Sequence, residues 1–263
     1  MSLSSRRALL AAIPAAGLGL SMPAELRAAA PRRVLAISTS VGRQPDGRPT
    51  GLWMSELTTP YWAFVDAGFE VQLASIAGGR PPVDPRSMAG PRGRGPSVDR
   101  FEAAPGAMAR FNDTPVLQPE SGDGFDAVFL AGGHGTMWDF RGNATLRTVV
   151  ERAFRRGAVV AAVCHGPAGL LDATDERGQP ILRGRRATGF TNAEEDAVEL
   201  TAAMPYLLED EMRRLGARFE AAANFAPFTV QDGNLITGQN PASAAPIGDL
   251  IVAALRSRPG ASG

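Results

Sequence analysis

The sequence predicts an α/β domain built around a mostly parallel β-sheet. Short apolar runs alternate with amphipathic stretches from residue 31 onward, as they do in repeated βαβ units. Several of these runs are apolar at successive positions, which is typical of strands that are covered on both faces. The 263-residue chain has 44% hydrophobic and 21% charged residues, a globular composition that excludes a disordered or collagen-like chain.

The first half of the domain contains three predicted strands, at residues 34–38, 69–74 and 126–130. A helix over residues 59–67, ended by Gly68, joins the first two strands. Residues 77–100 are rich in proline, glycine and arginine and predict a long excursion without regular structure. Loops of this length are often walls or lids of sites, and a disordered surface insert is the alternative.

The second half contains the clearest buried strand, at residues 159–163. Residues 228–237 predict a β-hairpin, since Asp232-Gly233 is a favoured turn. No linker or internal repeat divides residues 31–263, so we expect a single domain. The remaining amphipathic stretches predict helices at residues 145–156, 194–200, 206–215 and 241–255.

The composition excludes several classes of chemistry. All 27 cationic residues are arginine, which excludes a Schiff-base lysine, a P-loop lysine and a pyridoxal phosphate anchor. They balance 27 acidic residues, so no basic field favours nucleic acid. One cysteine excludes an intrachain disulfide framework and a cysteine-cluster metal centre, and two histidines argue against a histidine-rich metal site. We therefore expect neither a metal ion nor a cofactor.

Residues 1–30 predict a signal peptide. The pair Arg6-Arg7 precedes an apolar run, residues 8–20, that is shorter than the roughly 20 residues of a membrane-spanning helix. The pair is similar to a twin-arginine signal, which exports folded proteins, and residues 28–30 offer a cleavage site. We expect a periplasmic protein without a membrane anchor; the alternative is a disordered or amphipathic tail on a cytoplasmic protein.

Cys164 lies where the strand at 159–163 runs directly into a small-residue helix. This arrangement is similar to the nucleophile elbow of hydrolases, and ligands bind at the carboxyl ends of such strands. Amides at the start of the helix would lower the pKa of the thiol. We interpret Cys164 as a nucleophile, and a buried structural cysteine is the alternative.

Two glycine and histidine motifs lie next to this elbow in the predicted sheet. The backbone amides of Gly133 and His165 are candidates for an oxyanion hole. His165 follows the cysteine directly and is the candidate proton carrier. We interpret His134 as a loop histidine hydrogen-bonded to backbone.

Carboxylates in two segments could complete the site. Glu56 lies in an apolar and aromatic segment, where burial would raise its pKa and let it share a proton with the thiol. A helix N-terminal glutamate that complements the dipole is the alternative. Glu194, Glu195 and Asp196 follow a predicted strand end and helix cap at residues 188–192, and one of them could orient His165. The residues alone do not choose among the three.

Several separated motifs together resemble the PfpI superfamily of class I glutamine amidotransferase-like proteins. They are Gly51-Leu52-Trp53-Met54-Ser55-Glu56, Ala131-Gly132-Gly133-His134-Gly135 and Cys164-His165-Gly166-Pro167. Residues 188–191 and 232–243 are similar to one branch, which holds heat-shock chaperones and glutathione-independent glyoxalase III enzymes. The resemblance spans residues 33–255 and implies a three-layer sandwich with a flavodoxin-like central sheet and a cysteine at a nucleophile elbow.

The resemblance also implies roles for individual residues. Cys164 would be the nucleophile, His165 the proton carrier and Glu195 the orienting acid, with Glu194 as the near alternative. Glu56 matches a glutamate that contacts the thiol, and the amides of Gly133 and His165 match an oxyanion hole. Relatives often carry two acids where this chain has Ser55-Glu56. The zinc site that some bacterial relatives build from two histidines and a glutamate is expected to be missing.

These roles predict a glyoxalase III-type lyase that converts methylglyoxal, or a related 2-oxoaldehyde, to a 2-hydroxy acid such as D-lactate. The expected partner is a small aldehyde, and relatives suggest a homodimer. One alternative is a stress-response holding chaperone that uses apolar surface at Pro81, Pro82, Val83 and Met88. Another is a cysteine amidase or peptidase of the same superfamily.

Overall fold

The computed structural model describes residues 30–89 and 93–258. The predicted signal peptide falls almost wholly outside these residues, so it stays a prediction. The strands are β1 (Arg33–Ser38), β2 (Glu70–Ser75), β3 (Ala127–Leu130), β4 (Val159–Val163), β5 (Arg186–Ala187), β6 (Arg218–Phe219), β7 (Thr229–Asp232) and β8 (Leu235–Gly238). The α-helices are α1 (Met54–Asp66), α2 (Pro96–Glu102), α3 (Pro105–Asn112), α4 (Thr136–Asp139), α5 (Ala144–Arg155), α6 (Asn192–Ala197), α7 (Leu208–Arg214) and α8 (Ala244–Arg256).

Six strands form the central sheet in the order β2-β1-β3-β4-β8-β7. Neighbouring strands are parallel except β7, which pairs with β8 as an antiparallel edge. All residues of β3 and β4 are buried, as the continuous apolar runs predict. The α/β fold class with a mostly parallel sheet is therefore confirmed.

Helices cover both faces of this sheet. The crossover from β1 to β2 runs in the opposite direction to that from β3 to β4. Since parallel crossovers are right-handed, α1 and α5 lie on opposite faces. Helix α8 packs against α1, which completes one outer layer.

The strand order reverses between β1 and β3, and this reversal places a crevice at the carboxyl ends of the strands. The Gly132-Gly133-His134 turn leaves β3 at this edge, and Cys164 leaves β4 beside it. The sheet therefore brings together the two motifs that the sequence singled out. None of the helices within residues 30–89 and 93–258 has the length and apolarity needed to cross a membrane.

Three local predictions are wrong. Helix α1 begins at Met54 rather than at residue 59, with Pro60 inside it, where proline leaves the carbonyl of Glu56 without its usual amide donor. The excursion at 77–100 contains a 3₁₀ helix, Pro85–Met88, and most of α2. A 3₁₀ helix, Gly166–Leu170, replaces the α-helix expected after Cys164.

Candidate active site

Cys164 occupies a strained turn at the end of β4. Its φ is +58°, a left-handed conformation that non-glycine residues rarely adopt. The flanking backbone holds it there: the Cys164 amide donates to the Gly238 carbonyl at 2.9 Å, and the Cys164 carbonyl accepts from the Phe190 amide at 2.9 Å. A side chain at Gly166 would overlap the Leu130 carbonyl oxygen, so the elbow requires a glycine there.

The turn places the thiol against the imidazole of the next residue. Cys164 Sγ lies 3.2 Å from His165 Nδ1, and His165 Nε2 lies 2.8 Å from Glu195 Oε2. His165 is fully buried, and Glu195 is nearly so. The three side chains therefore form one hydrogen-bonded line that ends at the sulfur.

The structure shows which of the neighbouring acids Glu194 and Glu195 contacts His165. Thr191 and Glu194 form a capping box at the start of α6, in which each side chain bonds the other's backbone amide. Glu194 also accepts hydrogen bonds from the Phe225 amide and the side chains of Gln239 and Asn240. The Glu194 carboxylate is thereby occupied by these donors, and Glu195, one position later, bonds His165.

His134 is part of this network, although the sequence interpretation made it a loop histidine bonded to backbone. That interpretation is wrong: its Nε2 lies 2.8 Å from Glu195 Oε1 and its Nδ1 lies 3.2 Å from Arg86 Nη2. Burial lowers the pKa of His134 most, and with the charges of His165 and Arg86 it brings this pKa to about 4, against the opposing effect of the bond to Glu195. Its position directly after a strand at the carboxyl edge of the sheet was the signal that could have identified it.

The protonation states follow from Glu195. Burial alone would raise its pKa, but the charge of His165 and hydrogen bonds from both imidazoles hold the pKa of Glu195 well below its usual range. An ionised carboxylate only accepts, so each imidazole donates its Nε2–H to it. In its neutral form, His165 therefore presents an unprotonated Nδ1 to the thiol, and His134 presents its Nδ1 to Arg86. His165 Nδ1 is placed to accept the proton of Cys164.

Glu56 lies buried beside the sulfur, as predicted from its apolar segment. Burial raises the pKa of Glu56 to about 8, although contacts with the Cys164 thiol and the Gly132 amide lower it in part. Neither carboxyl oxygen makes a hydrogen bond of standard geometry within the described residues. Gly132 permits this approach, because a side chain there would overlap Glu56 Oε2. Glu56 is thus a protonated acid at neutral pH.

The predicted lowering of the thiol pKa is not found. Burial raises the pKa of Cys164, the charge of Glu56 raises it further, and the Gly133 amide opposes both. The helix after Cys164 is a 3₁₀ helix of only five residues, so its dipole is too small to offset the raised pKa of the thiol. The repulsion disappears when Glu56 is protonated, so the thiol and this carboxyl titrate as a pair that shares a proton.

The thiol opens into a pocket of about 280 Å³ at the crevice. Its walls are mostly apolar and aromatic, and the excursion at 77–100 contributes Arg86, Ala89 and Gly93. The lining residues are Trp53, Arg86, Ala89, Gly93, His134, Cys164, Phe190, Val198, Phe225 and Pro241. Cys164 is only 3% exposed, yet it reaches this pocket, so it is not a sealed core residue.

The side chains of His134, His165 and Glu195 could also serve as ligands for a metal ion. Their donor atoms lie within 4.8 Å of one another, and two imidazoles with a carboxylate suit zinc. Both imidazole Nε2 atoms are bonded to Glu195, so an ion there would replace those two bonds. The sequence predicted no metal site, because the two histidines lie in different motifs; the fold brings both of them to Glu195.

Residues 51–254 match the family model for the DJ-1/PfpI family. The chain belongs to the DJ-1/PfpI family. The matched range contains all the site residues just described, from Trp53 to Pro241, and the resemblance stated from the sequence motifs is confirmed.

Two glyoxalases are similar to the chain over most of its length. Glyoxalase 3 of Candida albicans is 31% identical over 219 residues, which cover 80% of this chain and 91% of that protein. The glutathione-independent glyoxalase HSP31 of Saccharomyces cerevisiae is 32% identical over 227 residues, 82% of this chain and 94% of that protein.

Solved structures give the same picture of the fold. The crystal structure of glyoxalase III from Candida albicans superposes with a TM-score of 0.78 at 28% identity, over 85% of this chain and 97% of that chain. The Rapid Encystment Protein of 24 kDa from Francisella tularensis superposes with a TM-score of 0.81 at 36% identity, over 85% of this chain and 99% of that chain.

Proposed function

We propose that this chain is a cysteine-dependent, glutathione-independent glyoxalase that converts methylglyoxal, or a related 2-oxoaldehyde, to a 2-hydroxy acid. The observation that carries the proposal is the Cys164 sulfur, which opens into the pocket 3.2 Å from an imidazole nitrogen. Relatives named as glyoxalases of the same kind support it. The net change is the addition of water with a shift of hydrogen between two carbons, and the enzyme class would be a lyase.

The first step joins the thiol to the aldehyde. Cys164 Sγ attacks the aldehyde carbon, C1, while its proton passes through His165 Nδ1 to the aldehyde oxygen. The product is a hemithioacetal, in which the protein sulfur takes the place of the glutathione sulfur. The Gly133 amide, which lowers the pKa of the thiol, is the donor that would stabilise the developing oxyanion.

The second step moves a proton between adjacent carbons. His165, neutral again, removes the hydrogen of C1 to form an enediolate, and the proton on the C1 oxygen passes to the C2 oxygen. His165 then returns its proton to C2, which leaves a thioester of a 2-hydroxy acid. Water attacks the thioester, releasing the hydroxy acid and restoring the Cys164 thiol.

Glu195 and Glu56 set the protonation of His165 and the charge around the Cys164 sulfur. Glu195 fixes His165 in the tautomer with an unprotonated Nδ1 and stabilises its protonated form between the two transfers. Glu56, protonated at neutral pH, places a neutral carboxyl against the sulfur, so that the attacking thiolate and the thioester meet no second negative charge.

The test is D-lactate formation from methylglyoxal by purified protein without glutathione. The wild-type chain should form D-lactate, and Cys164→Ala should form none above the rate without protein. Equal rates for both would overturn the proposal. Hydrolysis of a peptide or amide by the wild-type chain, with no D-lactate, would favour the amidase alternative instead.

The chaperone alternative loses the observation on which it rested. Pro81 is buried, and Pro82, Val83 and Met88 are half-buried. Within residues 30–89 and 93–258, Val116 is the one large apolar side chain that is exposed. The described surface around the excursion therefore offers no apolar patch for a client protein.

We further propose that residues 1–30 direct export, on the basis of the Arg6-Arg7 pair. A reporter fused to these residues should reach the periplasm, and the same fusion with Arg6→Lys and Arg7→Lys should be retained. A reporter that stays inside the cell in both cases would instead support the cytoplasmic alternative.

A further inference from the structure

Arg86 places a fixed positive charge in the wall of the thiol pocket. Among the lining side chains in the described chain, it is the only arginine, and most of the others are apolar. Its Nε donates to Asp84 Oδ1 at 3.0 Å and its Nη2 donates to Asp84 Oδ2 at 2.5 Å. Asp84 is fully buried, so a carboxylate with no access to solvent holds this guanidinium in one orientation.

The fixed guanidinium retains a donor for a ligand. Nη2 also bonds His134 Nδ1, whereas Nη1 makes no hydrogen bond within the described residues. The Arg86 side chain keeps 41% of its surface exposed, and its charge acts on both Cys164 and Glu195. A cation that is oriented from behind and open on its other side is suited to bind an oxygen atom in the pocket.

The proposed reaction creates a negative oxygen in this pocket. When C1 of the hemithioacetal loses its hydrogen, the charge develops on the oxygen of C2, the former ketone. The thiol and His165 act on C1, so neither of them neutralises that oxygen. The remaining walls, among them Phe190, Val198 and Phe225, offer no charge of opposite sign.

We propose that Arg86 binds the C2 oxygen of the substrate and stabilises the enediolate, an inference that rests on the proposed glyoxalase function. Arg86 is then a catalytic residue, and Asp84 is the residue that positions it. The substrate class follows: an aldehyde needs a carbonyl oxygen on the adjacent carbon to use this contact. Simple aldehydes would add to Cys164 without going further.

The test compares D-lactate formation by Arg86→Gln, Arg86→Lys and a matched control. Arg100→Gln is the control, because Arg100 is also half-exposed and paired with one aspartate, Asp66, through two hydrogen bonds of 2.7 Å, but does not line the pocket. Arg86→Gln should lower kcat/KM by about 100-fold to 1,000-fold, the usual effect of removing one donor to a developing oxyanion. Arg86→Lys should recover part of this loss, and Arg100→Gln should match the wild type.

A second measurement separates enediolate stabilisation from an effect on the thiol or on folding. With methylglyoxal deuterated at C1, Arg86→Gln should show a larger isotope effect on kcat/KM than the wild type, because removal of that hydrogen becomes the slow step. A smaller isotope effect would mean that Arg86 acts on thiol addition, and an unchanged rate and isotope effect would mean no role; either result overturns the inference. A wild-type chain that forms no D-lactate overturns the proposed function itself, and the inference with it.

Discussion

At the scale of single residues, the site depends on one carboxylate between two imidazoles. Glu195 bonds His165 with one oxygen and His134 with the other, each at 2.8 Å. Only the first of these imidazoles contacts the thiol. His134 is therefore a positioning residue, which fixes the carboxylate that fixes the proton carrier.

Replacement of His134 should reveal this indirect role. His134→Leu leaves one oxygen of Glu195 without its donor, so we expect kcat for D-lactate formation to fall by about 10-fold to 100-fold. His134→Gln retains an N–H donor and should recover most of the rate. Steady-state kinetics of both variants check this, and equal rates for the leucine and glutamine variants would contradict it.

Glu56 also makes stability depend on pH. Its pKa is 4.5 when exposed and about 8 in the folded protein, because burial disfavours the charged form. The folded protein therefore holds this proton more tightly than the unfolded chain. The resulting stabilisation is fully present below about pH 4.5 and is lost as the pH rises through about 8.

Glu56→Gln removes this titration. Relative to the wild type, its unfolding midpoint should rise progressively between about pH 4.5 and about pH 8, because over this range the wild type must take up a proton on Glu56 in order to fold. Thermal unfolding of both proteins across this range measures the difference. Glu120→Gln, at an exposed glutamate, is the control and should show no such trend. If the unfolding midpoints of Glu56→Gln and the wild type differ by the same amount at every pH, the raised pKa of buried Glu56 is contradicted.

At the scale of elements, the elbow depends on close contact between two strand ends. Gly166, two residues after Cys164, packs against the end of β3. A methyl group on Gly166 would overlap the Leu130 carbonyl oxygen. Gly166→Ala should therefore lower the free energy of unfolding by about 1–3 kcal/mol and slow alkylation of Cys164. Gly95→Ala meets no atom within 4 Å and should change stability by no more than about 0.5 kcal/mol. Similar values for both variants in denaturant unfolding would contradict this packing.

The elements also show which parts of the site could be predicted. Continuous apolar runs predicted the bounds of β1, β3 and β4 to within one residue. Such short runs are typical of strands that are buried on both faces of a parallel sheet. The spacing of Thr191 and Glu194 is that of a capping box, a sequence signal that assigns Glu194 to the helix start and leaves Glu195 for the histidine. The two-residue strand β6 was not predicted, because a segment that short has no periodicity.

At the scale of the whole molecule, the pocket wall depends on contacts between distant segments. The Leu52 amide donates to the Pro82 carbonyl at 2.8 Å, and the Asp84 amide donates to the Leu52 carbonyl at 2.9 Å. These two bonds fasten the excursion to the segment before α1 and bring Arg86 to His134. A proline-rich and glycine-rich stretch shows no local sign of such partners, so its role in the site could not be read from its own composition. The homodimer suggested by the resemblance stays a prediction.

The proposed reaction depends on a covalent bond between Cys164 and the substrate. To detect this bond directly, an excess of protein is mixed with methylglyoxal and the reaction is quenched with acid. The mass of the tryptic peptide of residues 157–177, which carries the one cysteine, is then measured. We predict a lactoyl thioester on Cys164 that hydroxylamine removes. D-lactate formed at the wild-type rate by protein whose Cys164 has first been blocked with iodoacetamide would contradict the account.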